Sequence, residues 1–458
     1  MNKLVFELRY LLHSRLAAGA LLALLLLASL SVWCGMRAVA MQEHALERIT
    51  AAHQYDMAAV KERYKDGGDA GYAAYYTFHL TTDAPSSLAF LALGQRDLLP
   101  YSLRVRMLGL HSQLYESETF NPELALPGRF DFAFVLTYLV PLFVIALLHD
   151  CMTAEHESGR LRLLMSLPMQ GGMIWWQRAG LRYAAVMLAL LLPLAVGLIQ
   201  AGASPGQATG VILIASLYTA FWGGLSMLVG ARARSSATAA AILLGLFVVL
   251  TLLLPTASNA AIARLIPVGK GVELAMTQRQ EVHQGWDLPK STTFKKFFKT
   301  HPEWSDTPPV EGRFHWKWYY AMHQVGDEAV ALQASQYRSN LERRDAWTGR
   351  LGWLLPAAAT QVALHRLADT DLQAQLGYRD SIATFHARLR QYYYPFVFFE
   401  RPFGAQEFAA IPSYVPRKSE ADLRVELLVT LALMTLLVGL CAALAIRNIR
   451  PLPDTEVE

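Results

Sequence analysis

The chain has 458 residues, 53% of them hydrophobic and only 17% charged, with a formal net charge of +4 at neutral pH. Soluble domains carry roughly 25% charged residues, so this balance points to a bilayer around much of the chain, and so small a positive excess excludes a general nucleic-acid surface. The three cysteines, Cys34, Cys151 and Cys441, lie far apart within or beside apolar runs, and neither a disulfide framework nor a metal site follows from that spacing.

Residues 1–40 begin with Leu4, Val5, Leu8, Leu11 and Leu12 at helical spacing among Lys3, Arg9 and Arg15. That pattern predicts an amphipathic helix on the cytoplasmic membrane surface. A first span, Ala17 to Met36, follows at once; it is longer than the 7–15 residues of a signal-peptide core and reads as an uncleaved anchor. Residues 41–129 form a polar excursion. It is helical in period to about Lys65, closes at Gly67-Gly68, and continues as loops and short elements through Pro85, Pro100 and Pro122. Its Tyr72, Tyr75, Tyr76 and Phe78 read as packing against the membrane or a neighbouring domain, with a binding surface as the alternative.

The second span, within residues 130–149, carries Pro141, which a membrane helix tolerates when a neighbour satisfies the freed carbonyl. Residues 150–178 are a short polar connection. Residues 179–254 hold three further spans, Tyr183 to Gln200 with Pro193, Ala208 to Val229, and Ala237 to Leu254. Residues 255–422 are a second, larger excursion, in which the runs Arg338 to Arg350 and Leu364 to Arg390 read as helix and Pro289 to Pro309 as loop. A sixth span in 423–447 precedes the tail 448–458. The expected fold is therefore an all-α polytopic membrane protein, with six transmembrane helices and two mainly helical extracytoplasmic insertions.

Short loops set the orientation. Ala201 to Gln207 has no Lys or Arg, whereas Arg232 and Arg234, Arg160, Arg162, Arg178 and Arg182, and Arg447 and Arg450 all fall on the other side. Both termini are then cytoplasmic. The span interiors lack the midplane ionisable groups that proton-driven carriers and voltage sensors use, so the helices read as walls driven from elsewhere.

The 150–178 connection opens Asp150-Cys-Met-Thr-Ala-Glu155-His-Glu157-Ser-Gly159-Arg and returns to an amphipathic pattern in Leu161 to Pro168. With its place after the second span, this ExESGxLxxLxSLP stretch resembles the coupling helix of the permease subunits of ABC-2 type transporters. The matching residues are Glu155, Glu157, Ser158, Gly159, Leu161, Leu164, Ser166, Leu167 and Pro168. The resemblance implies a permease in a bacterial inner membrane, dimeric with a second copy or a related permease, and driven by a separate ATPase subunit that binds the ATP. The segment from Trp353 to Phe396 further resembles the outer domain of a bacterial subfamily with large extracytoplasmic domains. In this reading Glu155, Glu157, Ser158, Gly159, Arg160, Leu161, Leu164 and Pro168 couple to the ATPase, Arg160 and Arg162 pairing with its acidic residues and Leu161, Leu164 and Leu167 filling its groove.

Two alternatives stand beside that one: an amphipathic helix held to anionic lipid, and an ectodomain-bearing scaffold or receptor that recruits partners without transport. Catalytic motifs fail. No GxxxxGK[ST] occurs, since Gly269-Lys270 lacks the earlier glycine. His156-Glu157 opens like a zinc-protease helix, but Arg160 takes the second histidine's place, and there is no GxSxG elbow. No catalytic, cofactor-binding or metal residue is assigned, and the histidines of the second excursion match no metal template.

Overall fold

The computed structural model describes residues 13–115, 130–161, 173–419 and 425–448, together with Glu7, Arg9 and Leu11. Among the described residues six helices are long and apolar enough to cross a membrane: α1 (Arg15–Arg63), α4 (Phe132–Glu157), α5 (Met173–Gln200), α6 (Pro205–Gly230), α7 (Ser236–Leu265) and α14 (Val425–Arg447). They make this a helical membrane protein. Between them stand α2 (Ala70–Tyr76), β1 (His79–Thr82), β2 (Ser102–Val105), α3 (Leu110–Tyr115), α8 (Gly271–Asp287), α9 (Lys290–Thr300), α10 (Trp316–Leu351), α11 (Pro356–Leu367), α12 (Leu372–Phe398) and α13 (Ala405–Ala409).

The most apolar windows of α4 and α6 are 61% and 56% buried, against 22% in α1, α7 and α14, so α4 and α6 form the centre of the bundle. Leu190, Leu194, Tyr218, Trp222 and Leu243 fill it. Small residues set the closest approach: a Cβ on Gly224 would lie 3.2 Å from Val438 and 3.6 Å from the backbone of Gly439, so α6 and α14 pack through glycine. A Cβ on the neighbouring Gly223 would meet Leu148 at an ordinary 3.9 Å.

Proline shapes two of the spans. Pro141 has no N–H for the Thr137 carbonyl four residues earlier, and the helix widens into a π turn over Val135–Leu139. The freed carbonyl accepts a hydrogen bond at 2.9 Å from the Tyr218 hydroxyl of α6, deep in the core. Tyr218→Phe leaves that carbonyl bare in an apolar interior, and about 1–2 kcal/mol of stability is expected to go with it, read as a lower unfolding midpoint in detergent. A second π turn, Val248–Leu253, precedes Pro255 in α7. The sequence ended this span at Leu254; the helix instead absorbs Pro255 and runs on to Leu265.

The first excursion starts, as its helical period predicts, as a direct continuation of α1, which is one helix of 49 residues. It contains an antiparallel hairpin, β1 and β2, pairing His79 with Val105 and Thr82 with Ser102. Lys290–Thr300, expected as loop, is helix α9: Pro289 sits at the cap, where its missing N–H costs nothing, and Phe294, Phe297 and Phe298 pack inward. The segment from Trp353 onward was expected wholly in the outer domain, yet α11 places Ala357, Ala359, Ala363, Leu364 and Leu367 in the core of the apolar helices.

The two excursions form one body. The Tyr320 hydroxyl donates to the Gly71 carbonyl at 2.7 Å, the Tyr378 and Thr81 hydroxyls meet at 3.0 Å, and Gly68 donates to the Phe403 carbonyl at 2.9 Å. A charged junction ties this body to α1 and to the segment before α14. Buried Arg96 bonds Gln42 of α1 at 3.2 Å and Asp83 at 2.7 Å, while Arg417 bonds Asp83 at 3.0 Å and Asp369 at 2.8 Å.

Candidate functional site

At the end of the bundle where α1 begins and α14 finishes, α4 leaves the apolar layer at His149 and makes a last helical turn over Thr153–Glu157. Gly159, at φ +69°, then reverses the chain; a side chain there is strained, which is the physical reason for glycine after Ser158. Glu155, Glu157, Ser158, Gly159, Arg160 and Leu161 lie within the described residues, whereas Leu164 and Pro168, with Arg162, Ser166 and Leu167, lie outside them.

The described residues are tied to their own chain. Glu155 accepts from Arg178 of α5 and from Arg160, both at 2.9 Å, and Arg178 also bonds Glu7 at 3.0 Å. One turn further along α5, Arg182 bonds Asp150 at 2.9 Å and reaches the Leu147 carbonyl. Glu157 spans to α7, where its carboxylate accepts from the Ser236 amide at 2.9 Å and the Ser236 hydroxyl at 3.0 Å. A carboxylate at a helix N-terminus meets unpaired amides and the positive end of the dipole. Thr153 adds a 3.0 Å contact to the same hydroxyl. Leu161 is buried in the core of the bundle rather than presented outward. Of this segment Glu157, Ser158, Gly159 and Arg160 remain exposed.

The arrangement is a staple: one short segment holds the ends of α4, α5 and α7 and the stretch before α1 by charge-assisted bonds, which are about twice as strong as neutral ones. Beside it opens a cavity of about 530 Å³, lined by Glu7, Ser14, His149, Asp150, Arg178 and Arg182 among apolar neighbours. Sequence reading found Glu155 and Glu157 but not their partners. Arg178 and Arg182 carried a usable signal, four residues apart and so on one helix face; Ser236 lies 79 residues from Glu157 and carried none.

Among the described residues no three of His, Cys, Asp and Glu are placed to hold a metal ion together. Residues 272–417, most of the larger excursion, match the model of a family described as a domain of unknown function, DUF3526. No curated protein matches the chain.

Proposed function

We propose that this chain is the membrane-spanning permease subunit of an ATP-driven transporter of the ABC-2 type, set in a bacterial inner membrane with the Asp150–Leu161 segment and both termini on the cytoplasmic side and the polar body outside. The stapled segment carries the reading. A coupling element must transmit a displacement at the membrane surface to several helices at once, and this segment is bonded to α5 through Arg178 and Arg182 and to α7 through Ser236. Charge supports the orientation: Arg232 and Arg234 lie on the same side as the segment, while the turn at Ala201–Ser204 on the other side has no basic residue.

A separate ATPase supplies the energy and closes on the segment, pairing with Arg160, whose guanidinium is largely exposed. The bonded carboxylates then pass the motion to the helix ends. A second permease, identical or related, completes the path, and a substrate moves outward.

The test separates transmission from docking. Glu157→Ala removes two charge-assisted hydrogen bonds to α7, together worth about 1.5–3 kcal/mol, and leaves the exposed Ser158-Gly159-Arg160 face in place. In vesicles holding the complete assembly, ATPase binding is expected to stay at the wild-type level while the dependence of ATP hydrolysis on transport falls about tenfold. Unchanged coupling in this variant contradicts the reading.

A further inference from the structure

The cavity beside the staple does not end at its polar groups. Along α1 its lining runs through Ala17 and Ala20, and on α5 it reaches Leu181. A second cavity, of about 520 Å³, begins at that same Leu181 and at Leu21, the next residue of α1, and continues between the two helices into the apolar layer as far as Leu192. The two adjoin, so one site is polar at the end of the bundle and apolar along the spans.

Small side chains keep the apolar part open. Although α1 and α5 pack against each other, Ala184, Ala185 and Ala189 of α5 carry only a methyl group toward Leu21, Leu22 and Leu25 of α1, and a trough remains. From Leu181 to Leu192 the helix rises about 16 Å at about 1.5 Å per residue, close to the roughly 15 Å that one leaflet contributes to the hydrocarbon core. A trough of that length matches one acyl chain. Leu22, Leu188 and Leu192 on its walls are each more than half exposed, so the chain itself does not cover it.

The polar end offers both signs of charge. Arg178 and Arg182, one helical turn apart on α5 and mostly buried, both line it. Neither guanidinium spends all its N–H groups on the staple. Arg178 donates through Nε to Glu7 and through Nη1 to Glu155, Arg182 donates through Nη1 to Asp150 and the Leu147 carbonyl, and Nη2 of each makes no hydrogen bond among the described residues. Guanidinium groups suit phosphate, which accepts several such bonds at once. Glu7 and Asp150 line the same cavity, and Asp150 is the more open of the two. A purely anionic headgroup would be held against two carboxylates, whereas one carrying phosphate and ammonium finds a partner for each.

We propose that the joined cavities hold a zwitterionic phospholipid, with its phosphate on Arg178 and Arg182, its primary ammonium on Asp150, and one acyl chain in the trough between α1 and α5. Sharing both arginines makes the lipid part of the staple, so it fixes the ends of α4 and α5 against α1. The site requires no ATPase and stands independently of the transport reading.

The probe is a short-chain phosphatidylethanolamine, titrated into the delipidated full chain in mild detergent and followed as bound adducts by native mass spectrometry. Phosphatidylglycerol and diacylglycerol of the same chain length are the comparisons, the first lacking the ammonium and the second both charges. Phosphatidylethanolamine is expected to bind about tenfold more tightly than either, the size of one charge-assisted contact. Ala184→Phe fills the trough from an exposed position and leaves every charged group in place; Asp150→Asn removes the partner of the ammonium while keeping an acceptor for Arg182. Each is expected to weaken phosphatidylethanolamine binding about tenfold, and Asp150→Asn also to abolish the preference over phosphatidylglycerol. Melting curves matching the wild type confirm that the variants are folded. Absence of a phosphatidylethanolamine adduct, phosphatidylglycerol or diacylglycerol bound as tightly, or wild-type affinity in Ala184→Phe would each overturn the proposal. So would a dimer that survives delipidation and dissociates in Ala184→Phe, since a second copy of the chain would then fill the trough.

Discussion

Replacing Arg390 with methionine is expected to cost about 3–5 kcal/mol and to open the polar body while leaving the apolar bundle folded. Arg390 of α12 pairs with Asp327 of α10 at 2.7 Å, both side chains almost wholly buried. Burial pushes the Asp327 carboxyl up, but Arg390 and the Leu110 amide outweigh it and hold it below the usual range. The same carboxylate accepts from Leu110 at 2.8 Å and His111 at 3.2 Å, fixing the start of α3, and Arg390 also reaches the Leu108 carbonyl at 3.2 Å. Removing the guanidinium strands a buried charge that organises a turn of the first excursion. Protease cleavage near residues 106–115 is the readout, and the double variant Asp327→Asn, Arg390→Met should recover part of the loss. Wild-type protease resistance in the single variant would show that the pair is dispensable.

The body is also expected to lose stability steeply on mild acidification. Burial drives the pKa of His79 down to about 3, that of His323 to about 4 and that of His386 to about 3. His53 pushes in the same direction at His79, Arg390 at both other rings and Arg106 at His323, while Asp327 opposes at His323 and His386. The folded values lie below the unfolded value of about 6.5, so on acidification the unfolded chain takes up protons first. Stability is complete above pH 6.5 and falls as the pH drops toward the folded values. Three such groups give a slope of about 4 kcal/mol per pH unit between roughly pH 6 and 4.5. Denaturant unfolding followed by intrinsic fluorescence at a series of pH values measures it. Replacing His386 with glutamine, which can still donate to the Arg106 carbonyl now bonded at 3.0 Å, should reduce the slope by about a third. A flat pH dependence would contradict the assignment.

Legibility in the sequence followed the range of the interactions involved. The six apolar helices were readable because each is a long uninterrupted run, and α6 begins, as its capping residues Ser204 and Gln207 allow, a few residues before the expected Ala208. Pro255 misled because a π turn lets a helix pass a proline, and the widened backbone has no composition signature. Pro289 and Pro302 misled for the opposite reason: they bracket α9 at its ends rather than breaking it. The hairpin from His79 to Val105 has strands of only four residues each, too short for alternation to declare itself. The joining of the two excursions through Tyr320, Tyr378 and Asp327 rests on contacts more than 200 residues apart in sequence, which no local pattern encodes.

The site divided in the same way. Glu155, Glu157 and Gly159 were visible as a motif, and Gly159 turns the chain at φ +69°. Their use within the chain was not visible: Leu161, expected to fill a partner's groove, fills the core of the bundle, and Arg160 is already shared with Glu155. Substituting Leu161 would damage the fold and report nothing on docking. Arg160 is the better probe, since its side chain is 60% exposed and its bond to Glu155 duplicates one that Arg178 already makes.

The central claim, that a separate ATPase drives this chain through the Asp150–Leu161 segment, is tested most directly by purifying the tagged full chain in mild detergent, wild type beside Arg160→Glu, and identifying what accompanies each. The account predicts a nucleotide-binding ATPase subunit with the wild type, lost or reduced about tenfold in the variant by reversal of one exposed charge at the contact, while both chains melt alike. Recovery of the ATPase undiminished in the variant would contradict the docking surface, and a wild-type chain accompanied only by proteins that bind no nucleotide would contradict the transporter itself and favour a membrane scaffold.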